Sequence, residues 1–285
     1  MKLIPFLAMF ILSAVLRAAD QPPPWQGVGL TVQPVSEVTA IRPGQPFYAG
    51  LFLHHQGGTH TYWQSPGLAG VATHLEWTLP KGWTAGEIEW PAPDKVKMAS
   101  INTHGFERDV LLMVKITPPA KVDEKTVTLK TKAVWMCCGT TCEFGNHDFQ
   151  ITLPVEAGTE PAWNAEWRKV FERERATFPV PLTGWKLSAA RSGKKITLTA
   201  DAEQKNAVMP EDAIFFSTDN LICSHPPQKW TKTATGFQAE LEVSEFPPKD
   251  QTKLRGVITG TKAWQAHGKK AAVIEVPLKV EAAGK

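Results

Sequence analysis

No basic tract, and no interleaving of aromatic with basic residues, occurs anywhere in this 285-residue sequence, and its formal charge is only +3. Nucleic acid is therefore not expected as a partner. After residue 20 every apolar run is broken within a few residues by charge, proline or glycine, so no later segment reads as a membrane span. Neither a serine-nucleophile motif nor a phosphate-binding glycine loop is present. Cysteine is scarce as well. There are four, and three of them fall together at Cys137, Cys138 and Cys142.

The first residues do carry a signal. Met1-Lys2 is a positive start, Leu3 to Leu16 is mostly apolar, and Arg17-Ala18-Ala19-Asp20 follows. This predicts a secretory signal peptide over residues 1–19, cleaved after Ala18 or Ala19, because its apolar stretch is shorter than the roughly 20 residues of a span. The mature chain is then exported, and its cysteines sit where disulfides persist. About 265 mature residues favour two domains. Eleven tryptophans suggest small, well-filled cores.

The stretch that organises the rest is Val127 to Leu153. Val127, Leu129, Thr131, Ala133, Trp135 and Cys137 alternate with Thr128, Lys130, Lys132, Val134, Met136 and Cys138, the period of a strand with one buried face. Cys137 is thus expected in the core and Cys138 on the outward face with Lys130 and Lys132. His147, Phe149, Ile151 and Leu153 share a face of the returning strand. A Cys138–Cys142 bridge needs Cα atoms within roughly 4.4–6.8 Å, whereas four residues of extended strand separate them by about 13 Å. The chain must reverse at Gly139-Thr140-Thr141, with Gly139 available for a positive φ. A bridge closing so small a ring is a poor staple. At an exposed turn it is easily reduced, which favours a redox role.

Strands recur every 10 to 15 residues ahead of this hairpin: around Leu30 to Val32, Phe47 to Leu53, Thr59 to Trp63, Leu75 to Leu79, Ile88 to Trp90 and Val110 to Ile116. Lys95 to Asn102 lacks a clear period and reads as a loop. Many short strands between turns predict an antiparallel sandwich. Thr159 as cap and Pro161 in the first turn, with Trp163, Trp167, Val170 and Phe171 at helical spacing, predict a helix ending near Arg175. Beyond Phe178-Pro179 the strand candidates are 196–200, 213–217, 237–243, 254–259 and 272–280. The fold class is all-β, two immunoglobulin-like antiparallel β-sandwich domains at 28–156 and 179–285 joined by a short helical linker at 157–178.

His60-Thr61-Tyr62-Trp63-Gln64-Ser65-Pro66-Gly67, Trp90-Pro91-Ala92-Pro93, Gly105 to Leu112 and Trp135-x-x-Cys138-x-x-x-Cys142 resemble the amino-terminal periplasmic region of DsbD-like and ScsB-like thiol:disulfide interchange proteins. The likeness is strongest over residues 28–156; residues 160–280 look like the second sandwich of the longer, ScsB-like members. It implies a redox-active Cys138–Cys142 disulfide in the periplasm and a protein-disulfide reductase type of activity that needs no cofactor. Cys142 is then the residue that forms mixed disulfides, and Cys138 the one that resolves them. His60 and Tyr62 line the site. The partners implied are a thioredoxin-like or membrane DsbD-type electron donor and oxidised periplasmic proteins. The transmembrane transporter and thioredoxin-like domain of the family are not matched here, so the chain is expected to borrow its electron donor or to do something else. The family's cap loop falls within Asp94 to Thr103, where Val96 and Met98 are the large apolar candidates.

Two other readings compete. One is a non-enzymatic envelope sandwich that binds another protein and carries a structural bridge. The other is a Cu(I) or Zn site built from Cys137, Cys138 and Cys142 with His60 or His147, although the spacing is not a zinc signature. His147 is expected to be a satisfied core histidine, and His54 and His55 solvated loop residues. Cys223 is expected as a buried free thiol, with a bridge to Cys137 as the alternative.

Overall fold

Short alternating runs punctuated by proline and glycine build a nearly all-β chain. The computed structural model describes residues 23–205 and 207–280, so the expected signal peptide lies outside the described residues. The amino-terminal half contains β1 (Trp25–Gly27), β2 (Leu30–Ser36), β3 (Val38–Ala40), β4 (Phe47–His55), β5 (His60–Gly67), β6 (His74–Thr78), β7 (Thr84–Glu89), β8 (Asp94–Met98), β9 (Ile101–Phe106), β10 (Val110–Thr117), β11 (Thr126–Cys138) and β12 (Cys142–Pro154).

Strands β1, β2, β4, β10 and β7 form one sheet, and β12, β11, β5, β9 and β8 form the other, with β6 also paired to β11. The two stack as an immunoglobulin-like sandwich. Leu51, Leu53 and Leu112 of the first sheet meet Trp63, Ala133, Trp135 and Phe149 of the second. Farther along, Phe47, Ala49 and Ile116 meet Leu129, Ile151 and Leu153. Strand β4 shows little polar contrast because its other face is covered too, with Tyr48 and Phe52 packed against Trp167 and Phe171.

The segment expected as a loop at Lys95 to Asn102 is instead the β8–β9 hairpin, paired from Asp94↔Gly105 to Met98↔Ile101. Its turn is carried by Ala99 at φ 53°, a conformation that ordinarily calls for glycine or asparagine, so no turn residue announces it. The helix also begins later than Thr159. Ala162–Trp163 (β13) pairs with β3, because the free edge of that strand offers hydrogen bonds that a first helical turn would leave unmade. Asn164 Oδ1 then accepts from the backbone N–H groups of Glu166 and Trp167 at 3.2 and 3.4 Å. α1 follows as Arg168–Thr177. Phe178-Pro179 stops it, since proline disfavours helical geometry in the residue before it.

The carboxy-terminal half comprises β14 (Val180–Pro181), β15 (Trp185–Ser192), β16 (Lys195–Ala202), β17 (Ile214–Ser217), β18 (Lys229–Lys232), β19 (Gly236–Glu242), β20 (Lys253–Thr259) and β21 (Ala271–Val280). Strand β21 joins its two faces. Ala271 to Pro277 pair with β20, and Leu278 to Val280 pair in parallel with β15. Trp185, Ile196, Leu198, Phe237, Leu254 and Ile274 lie in the core between them.

The halves share apolar surface. Phe216, Val257 and Ala271 join the cluster of Trp63 and Phe106, and the His104 ring meets Phe216 edge-on at 4.9 Å. The Lys269 ammonium donates to the carbonyls of Arg175 and Ala176 at the end of α1, at 2.6 and 2.9 Å. A cation at that end completes groups the helix leaves unpaired.

Candidate active site

Strands β11 and β12 pair residue for residue from Thr126↔Pro154 to Cys138↔Cys142. The last rung of this ladder is the cysteine pair. Gly139-Thr140-Thr141 closes the hairpin, with the Gly139 N–H donating to the Thr141 carbonyl at 2.8 Å. The reversal brings the Cα atoms to 4.0 Å, and the sulfurs are bonded. Gly139 does not use a positive φ. A side chain there would put its Cβ 3.1 Å from Thr59 Cγ2, so glycine serves the close approach of Thr59 instead.

The two sulfurs differ sharply in access. Cys142 is exposed, whereas Cys138 is 1% exposed. Alternation does put Cys138 on the face of Lys130 and Lys132, which are solvated, yet at the rim that face is covered. His60 stands directly opposite Cys138 in the ladder, and Tyr62, two residues on, lies on the same face. Both are fully packed, at 2% and 0% exposure. The outward-looking Cys138 expected from its own strand is thus corrected by side chains from β5.

Tyr62 O–H donates to Cys138 Sγ at 3.0 Å. Burial and the nearby Cys137 push the Tyr62 hydroxyl up to about 12, so it stays protonated. His60 Nε2 lies 3.2 Å from the Tyr62 oxygen. A disulfide sulfur carries no hydrogen, so the single phenolic hydrogen is spent on it, and the His60 contact is satisfied when Nε2–H is the donor. Burial lowers the His60 pKa below 6.5, which keeps the ring neutral. The result is a short relay, His60 to Tyr62 to Cys138.

Cys137 faces the core beside Trp135 and is free. Burial raises its thiol pKa, with a hydrogen bond from Thr59 opposing and Glu143 adding to the rise. Cys223 is also free and half-buried, so the two are not bridged. His147 is exposed, not a core histidine. Trp135 packs against Gly145, where a Cβ would come within 2.3 Å of its indole nitrogen, and His147 lies edge-on to Phe149 at 4.7 Å. His54 is solvated and pairs with Asp109 at 2.9 Å. His55 is not a solvated loop residue: β4 extends through it, its Nδ1 lies 2.8 Å from the Arg108 carbonyl and its Nε2 3.0 Å from Thr61 Oγ1, and burial lowers its pKa to about 4. Among the described residues no group of three or more His, Cys, Asp or Glu side chains is placed to hold a metal.

A cavity of about 30 Å³ beside the sulfurs is lined by Val28, Thr59, Cys137, Cys138, Gly139, Thr140, Thr141 and Glu143. Neither Val96, which is buried, nor Met98 lines it. Space for about two waters holds no organic ligand, so whatever reaches Cys142 arrives from outside. Two exposed apolar side chains flank that approach, Val28 at 72% and Phe144 at 68%. Sequence reasoning missed the loop Gly67 to Ala72 that overlies Tyr62, because nothing local to it refers to cysteine.

The family model described as thiol:disulfide interchange protein DsbD, N-terminal, matches residues 30–154. No curated protein matches the chain. Among solved structures, the crystal structure of the N-terminal periplasmic domain of ScsB from Proteus mirabilis is similar, with a TM-score of 0.62 at 18% identity over 88% of this chain and 94% of that one. At that identity the likeness is one of fold. Among the described residues no helix is long and apolar enough to cross a membrane.

Proposed function

Residues 30–154 match the DsbD amino-terminal family, and from that premise we propose that this chain is an exported thiol-disulfide exchange protein passing reducing equivalents through Cys138 and Cys142. A membrane DsbD-type or thioredoxin-like protein donates them, and oxidised periplasmic proteins accept them. We assign the redox domain to residues 28–156, the helical linker to 157–178 and a second sandwich to 179–285.

One observation carries the reading: the pair presents one sulfur to solvent and keeps the other beneath a hydrogen-bond donor. A donor thiolate attacks Cys142 Sγ, a mixed disulfide forms, and the electrons of the old bond leave on Cys138 as a thiolate. The Tyr62 O–H receives that developing charge. The donor's second thiolate then attacks its own sulfur in the mixed disulfide and releases Cys142. The donor is oxidised to a disulfide and the pair is reduced by two electrons. In the second half-reaction Cys142 attacks an acceptor disulfide, and Cys138 attacks Cys142 Sγ to release the reduced acceptor. The two protons lost by the donor thiols end on the acceptor thiols. Val28 and Phe144 supply the apolar rim against which a protein partner seats.

Trapping tests the assignment. Cys138→Ala leaves Cys142 to accumulate a mixed disulfide with a partner, whereas Cys142→Ala accumulates none. Equal trapping by both variants overturns the roles. A reduction potential well below about −300 mV, together with no exchange against thioredoxin-like proteins, returns the bridge to a structural part.

A further inference from the structure

We infer that Ser224, in the carboxy-terminal half, is a positioning residue for the disulfide: it fastens the loop that holds Tyr62 against Cys138. This rests on the exchange role proposed above for that pair.

Ser224 is 8% exposed, and its hydroxyl serves two segments of the other half at once. It donates to the Asn102 carbonyl at 2.8 Å and accepts from the Leu68 N–H at 3.3 Å. It fits a notch made by Gly67, whose φ is +90° and where a Cβ would lie 2.3 Å from Ser224 Oγ. The next residue repeats the grip. His225 Nδ1 accepts the Asn102 N–H at 3.2 Å, and its carbonyl accepts Asn102 Nδ2 at 2.8 Å. One short tongue therefore pins both the beginning of β9 and the start of the loop Gly67 to Ala72.

That loop runs back over the site. Ala72 forms a parallel bridge with Tyr62. Gly70, at φ +104°, lies flat on the Tyr62 ring, where a Cβ would stand 2.2 Å from two ring carbons. Tyr62 is wholly buried by this cover and ends 3.0 Å from Cys138 Sγ. The contacts run without a break from Ser224 through Leu68 and Gly70 to Tyr62 and the sulfur. Releasing the tongue lets the loop lift, water reach the phenol and the O–H lose its aim at the leaving sulfur. Cys142 is already exposed, so lifting the loop opens no new point of attack, and reduction slows.

The test uses the full chain and dithiothreitol, which needs no docking surface, as the reductant. The rate of opening of the Cys138–Cys142 bond is read for the unaltered protein, Ser224→Ala, Tyr62→Phe and the double variant. Ser224→Ala slows reduction by about twofold to tenfold, within the reach of such couplings, and adds nothing once Tyr62 is Phe. Asn102→Ala removes the Nδ2 bond to the His225 carbonyl, loosens the same tongue from the other side, and slows reduction in the same direction if Ser224→Ala folds poorly. A rate unchanged by Ser224→Ala and Asn102→Ala, or effects that multiply with Tyr62→Phe, overturns the assignment. Absence of any protein partner would sink the exchange role while leaving this coupling measurable.

Discussion

Replacing Tyr62 by Phe removes one oxygen and keeps the ring. In the folded protein that oxygen donates to Cys138 Sγ at 3.0 Å from a site with no solvent exposure, so no water substitutes for it. A hydrogen bond to a fully charged group contributes about 1.5–3 kcal/mol. Charge on the leaving sulfur is only partly developed in the transition state for exchange, and half of that range is about 0.7–1.5 kcal/mol. At 1.36 kcal/mol per decade reduction of the bond slows by about 3- to 13-fold. Once the pair is reduced the full interaction is at stake, and loss of the donor moves the Cys138 thiol pKa upward. The assay is stopped-flow reduction by dithiothreitol, followed by titration of reduced Cys138 through thiolate absorbance in a Cys137→Ser, Cys223→Ser, Cys142→Ala background. The variant also leaves the buried His60 N–H without its acceptor, a cost of about 1–3 kcal/mol, so its melting temperature is measured alongside. A folded Tyr62→Phe protein that reduces within twofold of the unaltered rate, with an unmoved Cys138 pKa, refutes the role given to this hydroxyl.

Two further outcomes follow from buried groups. His55 and His104 are both lowered to about 4 by burial, while in the unfolded chain they titrate near 6.5. Between those values the unfolded state binds more protons. Stability is therefore complete above about pH 6.5 and falls as pH drops toward 4, by up to about 3 kcal/mol for each ring; urea midpoints independent of pH across that window would contradict this. His104 touches Phe216 across the two halves, so His104→Gln flattens part of the profile. Cys137, core-facing and with its thiol pKa raised, stays unalkylated in native protein at pH 8 under conditions that label it in urea. Cys137→Ser leaves mixed-disulfide trapping intact.

The central hairpin was legible because its alternation is strong: Leu129, Ala133 and Trp135 against Lys130 and Lys132 fix the face of every residue, the cysteines included. What escaped were features made by distant partners. Cys138 lies on the face its own strand assigns, yet its cover comes from His60 and Tyr62 of β5, the latter held down by the Gly67 to Ala72 loop. The β8–β9 hairpin was hidden because its turn uses Ala99 in a conformation that no sequence signal advertises. Trp163 fell at helical spacing but was drawn into pairing by the open edge of β3. His147 matched the apolar period, yet it stands at the surface beside Phe149. Ser224 is a single serine in the loop between β17 and β18, and nothing in its sequence neighbourhood points to a sulfur in the other half.

Because the cysteine bond merely crosses the final rung of a hairpin already zipped from Thr126 to Cys138, opening it frees almost no chain. The scaffold can then be shuttled between oxidation states again and again without a melting and annealing step. A backbone circular-dichroism spectrum should barely register turnover, and the energetic traffic is left to the chemistry of the two sulfurs.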